Sequence, residues 1–192
     1  MTEVTTTQVG HVVPDFEMET YLPSKKDFGK FSLAEAKKAG KWTVLVFYPA
    51  DFTFVCATEF QALAEQYETL QKLGAEVLTV STDTKFTHLA WQRHEGELSG
   101  VTYPMAADPT GKVAKMFGVY MAEAGLALRG TFIIGPDGAL AYQGAVDSTA
   151  SANVADIATA TNYVRDALGS LAAGQPVSVK STRPYGCSVK YG

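Results

Sequence analysis

Residues 42–56 read WTVLVFYPADFTFVC, a β-branched and aromatic run that ends at a proline and leads to a cysteine. The run before the proline has the pattern of a buried strand, so a strand is predicted over 42–48. Beyond Cys56, apolar residues recur at helical spacing and stop before Gly74, a residue type common at helix C-termini. The sequence therefore predicts a helix over 57–73, with a thiol at or near its first turn.

The position of Cys56 favours a reactive thiol. Backbone N–H groups at the start of a helix, together with the helix dipole, stabilise negative charge. A cysteine in such a place can have its pKa lowered and act as a nucleophile near neutral pH. The alternative is an inert buried thiol, because free cysteines are often buried in protein cores.

The remaining sequence predicts an α/β fold with a central β-sheet flanked by helices on both faces, because strand and helix patterns alternate. A glycine- and proline-rich turn over 135–138 indicates a hairpin. One domain is predicted over 1–171, followed by an irregular C-terminal arm over 172–192. The other predicted strands are 76–81, 131–134 and 139–143; the other predicted helices are 84–95, 111–117 and a last one through Val154, Ile157, Ala158, Val164 and Leu168, closed by Gly169.

Composition sets limits on function. The 192 residues are 46% hydrophobic with a formal charge of −4, which argues against a nucleic-acid-binding surface. No apolar run has transmembrane length, and residues 1–7 lack the pattern of a signal peptide. Two cysteines do not make a disulfide scaffold, so we expect a cytoplasmic protein with reactive cysteines.

The spacing Pro-x-x-x-Thr-x-x-Cys, formed by Pro49, Thr53 and Cys56, resembles the active-site signature of the peroxiredoxins. These are thiol peroxidases with a thioredoxin-like fold, a central mixed sheet flanked by helices. The surrounding residues are similar to the alkyl hydroperoxide reductase and 2-Cys group. Further segments agree in the same order, namely 81–83, 88–91, 103–108, 117–119 and 129–134.

The resemblance implies a role for each matching residue. The Cys56 thiolate would attack a peroxide oxygen and become a sulfenic acid. Thr53, which could simply cap the helix, would hydrogen-bond the thiolate and the peroxide. Pro49, which could simply end the strand, would shield the thiolate from water. Arg129 would lower the thiol pKa and stabilise charge on the departing oxygen, and Glu59 would orient Arg129.

Cys187 is the other cysteine of the sequence, and the resemblance implies that it resolves the sulfenic acid as a disulfide. It follows Tyr185-Gly186 where the family commonly has a Val-Cys-Pro motif. We expect the Cys56–Cys187 bond to join two subunits, although a bond within one subunit stays open. Other departures from the family are Ala57 in place of proline, Ala152 in place of a second arginine and an altered segment over 95–100.

The predicted function is thus a thiol-dependent peroxidase that reduces hydrogen peroxide and organic hydroperoxides in antioxidant defence. A dithiol partner would recycle it, either a thioredoxin-like protein or a flavoprotein disulfide reductase. The resemblance also implies a homodimer, with a decameric ring of dimers as a further assembly. No cofactor is expected, because nucleotide-binding motifs are absent from the sequence.

Three alternatives fit these residues less well. A thiol–disulfide oxidoreductase would need a Cys-x-x-Cys motif, and position 53 is threonine. A non-catalytic holdase would not consume peroxide. A metal site is disfavoured because the three histidines do not space as ligands with either cysteine; His88 and the pair Arg93-His94 are instead expected on a helix surface.

Overall fold

In the computed structural model, residues 7–146, 148 and 161–182 are described, and for residues 54–59, 61 and 62 the backbone alone. The strands in these ranges are β1 (Glu17–Leu22), β2 (Asp27–Ser32), β3 (Trp42–Phe47), β4 (Ala75–Ser81), β5 (Met105–Ala107), β6 (Tyr120–Met121), β7 (Leu126–Ala127), β8 (Gly130–Ile134) and β9 (Leu140–Gly144). The α-helices are α1 (Leu33–Lys38), α2 (Phe54–Lys72), α3 (Lys85–His94), α4 (Lys112–Met116) and α5 (Tyr163–Ala172), and Gly96–Leu98 form a 3-10 helix.

Seven strands form a mixed sheet in the order β2-β1-β5-β4-β3-β8-β9. The pairs β3–β4 and β4–β5 are parallel, and the other pairs are antiparallel. Strand β3 lies near the centre because its side chains are apolar in both directions. Val44 points to one face and packs with α2, whereas Leu45 and Phe47 point to the other and pack near α1 and α4.

The helices cover both faces of the sheet, as predicted. On one face α2, α3 and α5 contribute Phe60, Trp91 and Leu168 to the core. On the opposite face α1 and α4 contribute Leu33 and Val113. The predicted α/β architecture is therefore confirmed, and no helix in the described ranges is long and apolar enough to cross a membrane.

The sequence analysis did not predict the elements before residue 42, and it placed the last helix incorrectly. Strands β1 and β2, helix α1 and strand β5 were not anticipated. Helix α5 begins at Tyr163, because Asn162 caps it by accepting a hydrogen bond from the Arg165 N–H. It continues through Gly169, which was wrongly expected to close it. The predicted helical residues Val154, Ile157 and Ala158 lie outside the described residues.

Residues 173–182 contain no helix, yet they pack against the domain. Val177 lies in the core. The 180–182 segment pairs with strand β9: the Gln143 N–H donates to the Lys180 carbonyl at 3.2 Å, and the Thr182 N–H donates to the Gln143 carbonyl at 3.0 Å. The Thr182 hydroxyl accepts a bond from the Ala145 N–H at 2.7 Å. The first half of the predicted arm is thus fixed to an edge strand of the sheet.

Candidate active site

The candidate site lies where strand β3 passes into helix α2. Tyr48 and Pro49 are buried at the end of the strand, and a turn then leads to the helix. The helix begins at Phe54, three residues earlier than predicted, so Cys56 is its third residue. The Cys56 backbone is consequently inside the first helical turn, where N–H groups and the helix dipole favour a negatively charged ligand or side chain.

The turn between β3 and α2 contains a strained residue. Phe52 has φ of 58°, the left-handed region that a bulky side chain rarely adopts, at a cost of roughly 1–2 kcal/mol. The residue is 53% exposed, and its ring lies near Trp91 and His94, at centroid distances of 6.4 and 6.0 Å. Such a conformation persists only when the neighbouring residues on each side are firmly held.

Thr53 follows Phe52 and ends this turn. It occupies the N-cap position of α2, with extended φ and ψ of −110° and 134°. Its hydroxyl makes no capping bond to the helix; it donates instead to the Ala50 carbonyl at 2.9 Å. The hydroxyl is therefore oriented by the turn.

Arg129 comes to the same end of the sheet as the start of α2. It directly precedes β8, whose first residue, Gly130, pairs with Phe47, the last residue of β3. Arg129 is only 6% exposed, so a surface position is excluded. A guanidinium keeps its positive charge even when buried. Neighbouring strands of a sheet lie about 4.8 Å apart, so the residues that flank β3 and β8 at this end are close together. The topology thus brings a permanent cation towards the Pro49–Cys56 turn.

The remaining predicted site residues are described in part or not at all. For Cys56 and Glu59 the structure describes the backbone alone, and both belong to helix α2. Cys187 and Ala152 lie outside the described residues. The roles assigned to these residues from the sequence therefore stay predictions. Within the described ranges, no three His, Cys, Asp or Glu side chains form a group that could hold a metal ion.

His88 was expected to cover a helix surface, and this expectation was wrong, because the residue is fully buried. Its Nδ1 lies 2.8 Å from Asp51 Oδ2, and its Nε2 lies 3.1 Å from the Ala106 carbonyl. The physical reason for its burial is helix geometry: His88 and Trp91 are three residues apart on α3 and face the core together. The three-residue spacing between His88 and Trp91 was the signal in the sequence that the two side chains share one face of the helix. Arg93 and His94 are exposed, as expected.

Tyr48 and Asp51 complete a buried polar group that the sequence analysis did not identify. The Tyr48 hydroxyl donates to Asp51 Oδ1 at 2.6 Å. Burial, and then the neighbouring Asp51 and Asp83 carboxyls, raise the pKa of Tyr48 well above that of a free phenol. Its hydroxyl therefore stays protonated and acts as the donor. No pattern of periodicity distinguishes a buried aspartate in a turn from an exposed one.

Comparison with known proteins identifies the fold and then the family. A crystal structure of AhpC from Enterococcus faecalis superimposes with a TM-score of 0.69 at 35% identity, covering 80% of this chain and 89% of that one. The fold is thus the thioredoxin-like fold of the peroxiredoxins, as the sequence predicted. Residues 9–143 match the model of the AhpC/TSA family, and the chain belongs to that family.

Two relatives illustrate the degree of similarity. YkuU of Bacillus subtilis, which is named as a candidate peroxiredoxin, is 54% identical over 70% of this chain and 76% of its own length. Alkyl hydroperoxide reductase C of Amphibacillus xylanus is 42% identical over 83% of this chain and 81% of its own length. The resemblance found in the sequence is therefore confirmed at the level of the family.

Proposed function

We propose that this protein is a thiol-dependent peroxidase that reduces hydrogen peroxide and small organic hydroperoxides. The observation that carries the proposal is the position of Cys56 in the first turn of α2, with Thr53 at the N-cap and buried Arg129 at the same end of the sheet. Membership of the AhpC/TSA family, whose relatives are named as peroxide reductases, supports this assignment.

In the first step the Cys56 thiolate attacks the terminal oxygen of the hydroperoxide. A sulfur–oxygen bond forms and the oxygen–oxygen bond breaks, so Cys56 becomes a sulfenic acid. The departing oxygen takes up a proton and leaves as water or an alcohol. Sulfur is oxidised by two electrons and the peroxide is reduced by the same two electrons.

The surrounding residues stabilise the charges of this step. The helix start and the Arg129 guanidinium favour the thiolate, and Arg129 also stabilises charge developing on the departing oxygen. The Thr53 hydroxyl, oriented by the Ala50 carbonyl, can accept a hydrogen bond from the peroxide O–H. The buried ring of Pro49 limits the access of water, and Glu59 has the role of orienting Arg129.

The second and third steps return the enzyme to its thiol form. The Cys187 thiol attacks the sulfenic acid, water leaves, and a Cys56–Cys187 disulfide forms. A dithiol partner then reduces this disulfide and is itself oxidised; a thioredoxin-like protein or a flavoprotein disulfide reductase has suitable chemistry. A homodimer, able to form a decamer, accommodates the inter-subunit bond that we favour. A cytoplasmic location in antioxidant defence fits this chemistry.

Peroxide consumption tests the proposal directly. The purified protein is mixed with hydrogen peroxide or tert-butyl hydroperoxide, with dithiothreitol as the electron donor. We expect catalytic loss of peroxide, and none above background for Cys56→Ser, because an alcohol is not ionised near neutral pH. Peroxide loss at the wild-type rate in Cys56→Ser would refute the mechanism. The absence of turnover in the wild type would favour a non-catalytic role.

A further inference from the structure

A buried cluster of three polar side chains lies behind the turn that leads to Cys56. It consists of Tyr48, Asp51 and His88, and we call it the Tyr48–Asp51–His88 cluster. The His88 and Asp51 side chains are 0% and 1% exposed, and Tyr48 is buried beside them. The proposed peroxide chemistry uses none of these three side chains, so their presence in the core requires another explanation.

The hydrogen bonds show how many protons the cluster holds. The Ala106 carbonyl can only accept, so His88 Nε2 carries a proton and donates to it at 3.1 Å. The Tyr48 hydroxyl donates to Asp51 Oδ1. His88 Nδ1 lies 2.8 Å from Asp51 Oδ2 and 3.4 Å from the Tyr48 hydroxyl. The shorter contact requires a second proton between Nδ1 and Oδ2, because neither atom can donate without one. Asp51 and His88 therefore share a proton and carry no net charge as a pair.

The shared proton makes the burial of Asp51 possible. An unpaired carboxylate in the protein interior is strongly destabilised, whereas a paired and fully hydrogen-bonded one is tolerated. His88 belongs to α3 and Asp51 to the turn before α2. The bond between them consequently joins a turn and a helix that are separated by helix α2 and strand β4 along the chain.

Asp51 is held from a second direction by its backbone. Its N–H donates to Asp83 Oδ2 at 2.9 Å, and the same carboxylate oxygen accepts a bond from the Ser81 hydroxyl at 2.8 Å. The left-handed residue Phe52 comes directly after Asp51, and Thr53 follows. The residue before Phe52 is thus fixed by side chain and backbone, which is the condition that such a conformation needs.

We propose that His88 is a positioning residue: through its hydrogen bond to Asp51 it holds the turn over 50–53 in the form that presents Thr53 and the start of α2 to the peroxide. The proposal rests on the peroxidase function proposed above. His88 does not touch the reacting atoms and acts only through Asp51.

Two substitutions with the same functional group separate this role from a merely structural one. In His88→Asn the short side chain places its amide near the former Nδ1 and can still donate to Asp51. In His88→Gln the longer side chain places its amide near the former Nε2 and can donate to the Ala106 carbonyl. Both variants are neutral and polar, and they differ mainly in which of the two bonds they keep.

Two measurements are made on each variant and on the wild type. The first is the second-order rate constant for oxidation by hydrogen peroxide. The second is amide hydrogen exchange at Phe52 and Thr53, which needs no catalysis. We expect His88→Asn to keep the rate constant within about threefold of wild type. We expect His88→Gln to lose at least about tenfold and to exchange faster at both amides.

Each result supports or contradicts the proposal. Equal rate constants and equal exchange in the two variants, or a faster His88→Gln, would overturn it. An inactive wild type would refute the peroxidase function, and the exchange data would still decide the positioning role. Ile134→Ala serves as a control for lost stability, because Ile134 is buried at the opposite end of β8. It should lower the melting temperature without changing the rate constant.

A second pair of variants applies if neither His88 variant folds. In Asp51→Asn the amide can donate to a neutral His88 Nδ1 and accept from the Tyr48 hydroxyl, so the bonds persist without the shared proton. In Asp51→Ala all of these bonds are lost. Slower exchange at Phe52 and Thr53 in Asp51→Asn than in Asp51→Ala is the expected result. Identical exchange in the two would overturn the proposal.

Discussion

Phe47 and Gly130 are paired residues on neighbouring antiparallel strands, the last of β3 and the first of β8. Tyr48 follows Phe47 and Arg129 precedes Gly130, so both residues flank the sheet at the same end. A residue more than 70 positions from Cys56 in sequence is thereby brought to the end of the sheet where α2 starts. The position of Arg129 follows from this register and does not depend on a long flexible loop.

Arg129→Ala should slow the reaction with peroxide by about ten- to a hundredfold, because a buried cation near the developing charges is removed. The pH midpoint of Cys56 alkylation should rise in the same variant, because the positive charge that stabilises the thiolate has been removed. Stopped-flow oxidation and iodoacetamide alkylation across pH measure the two effects.

Two control variants accompany the Arg129 measurement. Arg129→Lys keeps the charge but lacks the planar fork, so an intermediate effect is expected. Arg93→Ala removes an exposed arginine of α3 and should leave both quantities unchanged. An alkylation profile and a rate constant equal to wild type in Arg129→Ala would show that Arg129 has no part in activation.

Thr53→Val should reduce the peroxide rate constant about a hundredfold, while Thr53→Ser should stay within about tenfold of wild type. Valine has the shape of threonine but lacks the hydroxyl that donates to the Ala50 carbonyl and that, in the proposed mechanism, accepts from the peroxide. Serine keeps that hydroxyl. Comparable rate constants for the valine and serine variants would rule out a role for the hydroxyl.

Cys187→Ser should leave the first peroxide reduction intact and prevent the disulfide from forming. One equivalent of hydrogen peroxide is added, and the products are separated on non-reducing gels. In the wild type we expect a covalent dimer, which Cys187→Ser should not form. A wild-type disulfide that runs as a monomer would place the bond within one subunit. If no disulfide forms, the recycling thiol must come from another molecule.

Gly144→Ala should destabilise the protein by roughly 1–3 kcal/mol, because φ is 147° at this position, a conformation that only glycine adopts easily. A Cβ atom there would also lie 2.7 Å from the backbone nitrogen of Thr182, displacing the 180–182 segment from β9. Urea unfolding measures the stability, and amide exchange at Thr182 measures the displacement.

Gly169→Ala provides the matched control for Gly144→Ala. Gly169 is an exposed residue of α5, and a Cβ atom there would meet no other atom within 4 Å. Alanine should stabilise this helix by about 0.5–1 kcal/mol. If both variants changed stability in the same direction and to the same extent, the contact between Gly144 and Thr182 would have no special importance.

The parts of the fold that were predicted from the sequence are those with a strong hydrophobic period. Strand β3 and helix α2 could be predicted because the spacing of their apolar residues is typical of a buried strand and of a helix. Strands β1 and β2 were missed because polar residues interrupt their apolar patterns, and β2 is an edge strand with no fully buried residue. Alternation of Phe16, Met18 and Thr20 was the available signal for β1.

In the candidate site, too, some features could be predicted from the sequence and others could not. The motif with Pro49, Thr53 and Cys56 is visible in the sequence, because its residues are close together along the chain. The contact between His88 and Asp51 is not, because it depends on how helix α3 packs against the turn before α2. Sequence patterns predict which faces are buried, but they do not predict which buried polar atoms meet.

The pairing of the 180–182 segment with β9 has a kinetic consequence for the proposed Cys56–Cys187 disulfide. Five residues of chain lead from Thr182 to Cys187, and five residues span at most about 18 Å. A thiol on so short a tether has an effective concentration on the order of millimolar around its anchor. Gly144 pairs with Thr131 beside the end of β3, so the anchor lies at the active-site end of the sheet. Disulfide formation within the chain or within a stable dimer should therefore proceed at a rate independent of dilution.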